Sequence, residues 1–243
     1  MKTNVRSPIV SMRHPAKAHR GARIWLLSEI LLCILMAVLL FVFAGRWDWM
    51  MAWALVVLYG IWVTANAVLL TPRSPTMLAE RVTHRFSDKT WDNIILVLYG
   101  ILTVGKLIVA GLDYHYGWTP QMSMTLQISA LAVAGIGYAM MTWAMIANPF
   151  YAIGSRIQAE RGHTVATEGP YYYMRHPGYV GSIIFELATP IMLGSLWALI
   201  PGGLAALLII VRTAIEDHLL FAELEGYGAY AQSTRFRLLP GVW

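Results

Sequence analysis

A single cysteine, Cys33, stands in a chain of 243 residues. One thiol permits no internal disulfide and no cysteine-based metal site. Its place inside an apolar run marks a small packing residue rather than a reactive group. Charge is scarce too: Asp, Glu, Lys and Arg make up 13% of the residues, about half of the ~25% usual in soluble domains. The sequence holds no Walker loop, no G-x-G-x-x-G fingerprint and no H-E-x-x-H pair, so the common signals for phosphate-loop, dinucleotide and zinc sites are missing. His163, His176 and His218 follow no metal-ligand spacing, and no metal is expected. Internal repeats and low-complexity segments are absent as well.

What the chain has instead is length in its apolar runs: 58% of residues are hydrophobic. Residues 1–23 are polar and basic, with Lys2, Arg6, Arg13, Lys17, Arg20 and Arg23, and read as a flexible arm. Ile24–Ala44 then exceeds the ~7–15 residues of a signal-peptide core and reads as a first membrane helix. Arg46-Trp47-Asp48-Trp49 makes a turn carrying interfacial tryptophans. Met50–Leu70, Asn93–Leu112 and Met124–Ala147 are the next three helices. Between the second and third, Pro75–His84 has a helical apolar pattern (Met77, Leu78, Val82) that suggests a short interfacial helix. Asp113–Met122 reads as a turn with Tyr114, Tyr116 and Trp118 as belt residues, and Ala130, Ala134, Gly135 and Gly137 would let the fourth helix pack closely. Gly178–Leu193 and Ser195–Thr213 form a hairpin turned at Gly194-Ser195, with helix continuing to about Glu225 and a surface tail over Gly226–Trp243. Lys106 reads as a snorkelling or interhelically paired residue, and Glu186 faces the hairpin interior.

The expected fold is therefore all-α: a polytopic membrane protein of about six transmembrane helices. It divides into the arm 1–23, four helices over 24–147, and a C-terminal segment 148–243. Basic residues fall on one side of this scheme, in the arm, at Arg73, Arg81, Arg85 and Lys89, at Arg156, Arg161 and Arg175, and at Arg212, Arg235 and Arg237. Arg46 alone falls on the other. That asymmetry places both termini in the cytoplasm, in a bacterial setting the inner membrane. The net charge of +5 is accounted for by topology and carries no nucleic-acid signal.

The least membrane-like stretch is His163–Tyr179, HTVATEGPYYYMRHPGY. Gly169-Pro170 and Pro177-Gly178 are turn signals, so this is an ordered loop feeding a helix, rich in aromatic and polar side chains. Arg212 and Glu216 lie four apart and share one helix face, with Asp217 beside them. From spacing alone, a helix-end salt bridge and a ligand site remain equally open.

The run Arg175-His176-Pro177-Gly178-Tyr179, preceded by His163-Thr164-Val165 and Gly169-Pro170-Tyr171, resembles the isoprenylcysteine carboxyl methyltransferase family. So do Arg212-x-x-x-Glu216-Asp217, Leu220, Tyr227, Tyr230 and the tail Arg237-Leu238-Leu239-Pro240. Upstream, Leu78-Ala79-Glu80-Arg81 and Trp91-Asp92 look like bacterial members of that group, which extends to phospholipid N-methyltransferases. The resemblance covers about Asn148–Trp243. It implies S-adenosylmethionine as cofactor, bound by His163, Thr164, Val165, Ala166, Tyr171, His176, Pro177, Gly178, Tyr179, Glu216 and Asp217. It makes Glu216 and Arg212 the catalytic pair, with Arg212 meeting the substrate. Asp217 replaces the family's usual second Glu, and Arg156 stands where eukaryotic members have Gln. The implied acceptor is lipophilic, a small molecule or a prenylated chain delivered by the bilayer, with a carboxylate favoured because it is already ionised at pH 7 and needs no base. Competing readings are an NADPH-dependent sterol-type reductase, using Arg156, Arg161 and Arg235 for the 2′-phosphate, a phospholipid or thiol methyltransferase, and a non-enzymatic scaffold or transporter.

Overall fold

A computed structural model describes residues 15–83 and 86–243. Within them the chain forms eight α-helices and two short 3-10 turns, with no strand. The helices are α1 Pro15–Ala44, α2 Met50–Leu70, α3 Pro75–Thr83, α4 Thr90–Tyr116, α5 Met124–Ala147, α6 Pro177–Met192, α7 Leu199–Glu223 and α8 Tyr227–Ser233. Five of them, α1, α2, α4, α5 and α7, are long and apolar enough to cross a membrane. The outward faces match that reading, because Leu31 and Val42 on α1, Ile61 and Val68 on α2 and Ile101 on α4 are all exposed. A chain with five such spans is a multi-pass membrane protein. The expected sixth crossing, α6, has 16 residues. At ~1.5 Å per residue that is about 24 Å, short of a ~30 Å hydrocarbon core.

Several sequence expectations need correction. The arm was expected over 1–23; residues 1–14 lie outside the described residues, but 15–23 belong to α1. Proline suits a first helical position, where its missing N–H is no loss. A small-residue contact holds this extension: a Cβ on Gly21 would sit 2.3 Å from that of Ala79, so α1 and α3 touch at backbone distance. Helix α4 runs on through Asp113 to Tyr116 because that carboxylate is fully satisfied. It accepts from the Thr119 N–H at 2.7 Å and the Thr119 and Ser195 hydroxyls at 2.5 Å each. Gly117, in the left-handed region at φ 65°, ends the helix by donating to the Asp113 carbonyl. Tyr114 and Tyr116 are thus helical rather than in a turn. Helix α7 starts at Leu199 instead of Ser195, since Ser195 is taken up capping the Ala198 N–H while bonding Asp113. Gly226–Trp243 is not a surface tail: it contains α8, and Tyr227, Tyr230 and Leu238 are buried.

Packing is densest where α5 meets α6. A Cβ on Gly137 would lie 2.7 Å from the Gly181 carbonyl oxygen, and one on Gly181 would lie 2.5 Å from that of Gly137. The two helices run antiparallel, with Gly137 also facing Phe185 and Gly181 facing Met141. Lys106 on α4 is interhelically paired, its Nζ 2.5 Å from Glu186 of α6, and Tyr99 donates to the same carboxylate at 2.8 Å. These contacts bring the start of α4, the end of α5, the start of α6 and the end of α7 to one end of the bundle. Nearly all of the described basic side chains gather there, whereas Arg46 and the tryptophans Trp47, Trp118 and Trp197 mark the other end.

Candidate active site

The polar end of the bundle holds a pocket lined by polar and aromatic side chains. Its floor is α7, its flanks are the 148–156 and 163–171 loops, and the start of α6 closes it. Of the residues implied from sequence, His163, Thr164, Val165, Ala166, Tyr171, His176, Gly178, Tyr179, Arg212 and Glu216 line this pocket together. Pro177 and Asp217 do not. Pro177 occupies the first position of α6. Asp217 points away and ties down the C-terminal wall. One of its oxygens accepts from Arg175 Nε at 2.8 Å, Tyr227 at 2.7 Å and His176 at 3.3 Å. The other accepts from Arg175 Nη2 at 2.9 Å and Arg237 at 2.8 Å.

Arg175 is the pin of that wall. Its Nη1 donates to the carbonyls of Thr234 and Arg235, and its backbone N–H donates to Phe236. The His176 N–H then donates to the Arg237 carbonyl. Tyr230 donates to the Tyr171 carbonyl at 2.7 Å, fixing the 3-10 turn at Gly169–Tyr172 against α8. The Tyr171 hydroxyl accepts from Asn148, and burial pushes its pKa up, so it stays a neutral phenol.

The carboxylate of Glu216 is built asymmetrically. Its Oε2 accepts from the Ser155 hydroxyl and, at 2.5 Å, from Tyr179, whereas its Oε1 has no partner among the described residues. Arg212 lies 3.9 Å from Glu216 but closer to Asp92, whose carboxylate takes its Nε at 2.8 Å. Arg212 Nη2 donates to the Ile153 carbonyl at 2.5 Å, and the guanidinium lies 5.4 Å from the Tyr179 ring centre. The fork expected to give an acceptor two hydrogen bonds is therefore partly committed, and among the described residues only its Nη1 has no hydrogen-bond partner.

The 164–167 strap has a different character. Its backbone N–H and C=O groups make no hydrogen bond to the rest of the described chain. Such groups beside a cavity are usually satisfied by water or a ligand. Next to the strap, His163 Nδ1 accepts the Gln158 N–H at 3.2 Å and its ring stacks on Phe150. Burial, with help from Arg161 and Arg156, lowers its pKa to about 4. The ring is neutral at pH 7 and carries its proton on Nε2.

Sequence reasoning missed Asp92, Ser155 and Tyr151 as parts of this site. Asp92 carried a signal, an acidic residue after Trp91 in the first turn of a span; Ser155 and Tyr151 carried none. Of the basic residues a 2′-phosphate would call for, Arg156 is paired with Glu80 and Glu160, and Arg161 bonds Gln158 and Thr76.

An all-helical membrane bundle with a polar, aromatic-walled pocket at one end defines a class of integral membrane enzyme. Residues 126–222 match the model of the isoprenylcysteine carboxyl methyltransferase (ICMT) family, a family of methyltransferases. No curated protein matches the chain.

Proposed function

We propose that the protein binds S-adenosylmethionine in the α6–α7 pocket and methylates the carboxylate of a lipophilic, isoprenylcysteine-like acceptor at the cytoplasmic membrane face. The observation that carries this reading is the Glu216 carboxylate at the pocket floor, whose Oε1 has no partner among the described residues. The cofactor bears one net positive charge, from its sulfonium and its zwitterionic amino-acid end, so the two are complementary. The open backbone groups of the 164–167 strap, the His163 Nε2–H and the flat faces of Tyr171 and Tyr179 suit an adenosine, which needs hydrogen-bond partners at its edges and apolar walls. Glu216 would take the ammonium; Gly178 would leave room where a side chain would strike the Tyr151 ring.

When bound, the cofactor supplies an electrophilic methyl carbon. The protein's part is then positioning, which suffices because an ionised carboxylate is already nucleophilic. Arg212 Nη1 would orient the acceptor's oxygen, a charge-assisted hydrogen bond being the strongest single contact available there. Asp217 and Pro177 would act through the wall they stabilise rather than by contact. Segment 148–243 forms the methyltransferase unit in this scheme and 24–147 its helical support. Helix α6 is the sixth crossing, with both termini cytoplasmic and, in a bacterial host, the inner membrane as location.

Titration of the purified protein with S-adenosylmethionine and, separately, NADPH tests the reading, followed by labelled S-adenosylmethionine on host-membrane extract. We expect saturable binding of S-adenosylmethionine alone and label in a base-labile methyl ester. Saturable binding of NADPH alone rejects it, and label in a base-stable amine or thioether moves the acceptor to a phospholipid or thiol.

A further inference from the structure

We propose that Asp92 is a positioning residue of the transfer site: from the first turn of α4 it fixes both the Arg212 guanidinium and the loop that carries Ser155 to Glu216. This deepens the function proposed above and rests on it for the identity of the step affected. Asp92 is fully buried. One carboxylate oxygen accepts from Arg212 Nε at 2.8 Å and the other from the Ser155 N–H at 2.7 Å. Ser155 then donates its hydroxyl to Glu216. One side chain thereby sets the two pocket residues given opposite duties, the arginine that would meet the acceptor and the acid that would meet the cofactor.

The second acid of α4 shows what a purely structural carboxylate looks like in this protein. Asp113, at the other end of the same helix, is equally buried, and all its partners are loop groups, from Thr119 and Ser195. Both bonds of Asp92 instead end on groups that line the pocket. By holding Nε, Asp92 also turns the guanidinium so that Nη1 is the nitrogen left without a hydrogen-bond partner among the described residues. Its contribution comes from outside the matched 126–222 stretch, so that stretch alone lacks the group that aligns its own arginine. A displaced arginine has a large effect on rate, since a shift of about 1 Å in a positioning group costs on the order of 100-fold.

The Asp92→Asn variant removes the charge that holds the guanidinium. Asparagine offers one carbonyl oxygen to two donors, Arg212 Nε and the Ser155 N–H, so the neutral amide holds Arg212 at best by an uncharged bond. In membranes, methyl transfer by this variant should fall about 100-fold, while the dissociation constant for S-adenosylmethionine stays within about threefold. Arg212 should react several-fold faster with an arginine-selective dicarbonyl, read by peptide mass spectrometry. Combining Asp92→Asn with Arg212→Lys should cost little beyond Arg212→Lys alone, as expected of coupled residues. Asp92→Glu, which keeps the charge, should recover part of the transfer rate; it also supplies both readouts if the Asn variant does not accumulate. Wild-type labelling of Arg212 in the variant, or a loss of cofactor affinity as large as the loss of turnover, overturns the inference. Should the wild-type protein bind no S-adenosylmethionine, the proposed function falls, yet the labelling comparison still decides whether Asp92 holds Arg212.

Discussion

Glu216 and Asp217 follow one another on α7 and serve different neighbours. Glu216 keeps one oxygen open to the pocket; Asp217 has both oxygens saturated by Arg175, His176, Tyr227 and Arg237. Glu216→Gln leaves an oxygen for Ser155 and Tyr179 but removes the charge, so S-adenosylmethionine binding should weaken. A charge-assisted contact of ~1.5–3 kcal/mol corresponds to roughly 10–150-fold in affinity, with little change in thermal unfolding in detergent. Asp217→Asn should do the reverse, lowering the unfolding temperature markedly, because breaking a buried ion pair costs about 3–5 kcal/mol. Equal effects of the two substitutions on both measurements would merge roles that the geometry keeps apart. His163 supplies a pH test. Its folded pKa of about 4 lies below the ordinary 6.5, so the native state resists protonation. Its contribution to stability is intact above about pH 6.5 and declines as pH falls from there towards 4. The His163 ring resonance should titrate with a midpoint near 4; a midpoint at 6 or above would show a solvated ring. Adjacent acids with different duties could not be told apart from sequence, since spacing puts both near the pocket and only their hydrogen-bond partners, 10 to 61 positions away, separate them.

At the scale of elements, the long helices were readable, whereas α8 and several helix limits were not. The boundaries of α2 and α5 coincide with their apolar runs. The end of α4 was misjudged because Asp113 looked like an end but is satisfied by Thr119 and Ser195, and α1 and α7 begin elsewhere than their apolar runs suggested. The α5–α6 seam shows the same division. Four small residues suggested close packing, but the structure alone tells Gly137, pressed on the α6 backbone, from Gly135, whose nearest neighbour is Leu58 at 3.8 Å. Gly181→Ala should therefore lower the unfolding temperature in detergent by overpacking worth about 1–3 kcal/mol. Gly135→Ala should be neutral or slightly stabilising, since alanine is the better helix former by ~1 kcal/mol. Equal tolerance of alanine at both sites would contradict the contact.

For the whole molecule, the bundle sorts its charges by end, and the site lies at the basic end. The proposed topology places that end in the cytoplasm. In a bacterial host, a reporter that works only in the periplasm should stay silent after Trp243 and become active when inserted at Gly117, in the turn after α4. Activity after Trp243 would require an odd number of crossings, with α6 confined to one leaflet. The sorting of charge by end was legible because charge asymmetry is a property of sequence order. The closing of the pocket was not, because it depends on residues 234–237 returning to Arg175 and His176.

That return has a consequence for biogenesis. Ribosomes deliver the chain from its N-terminus, so α1 to α7 are synthesised before Thr234–Arg237. Until then Arg175 and Asp217 face each other without the carbonyls and the second guanidinium that complete their network. A chain truncated after Ser233 would have every membrane helix and an unlatched pocket wall. Such a protein would be inserted and retained by the bilayer while unable to act, so competence is conferred by the 234–237 latch rather than by membrane insertion.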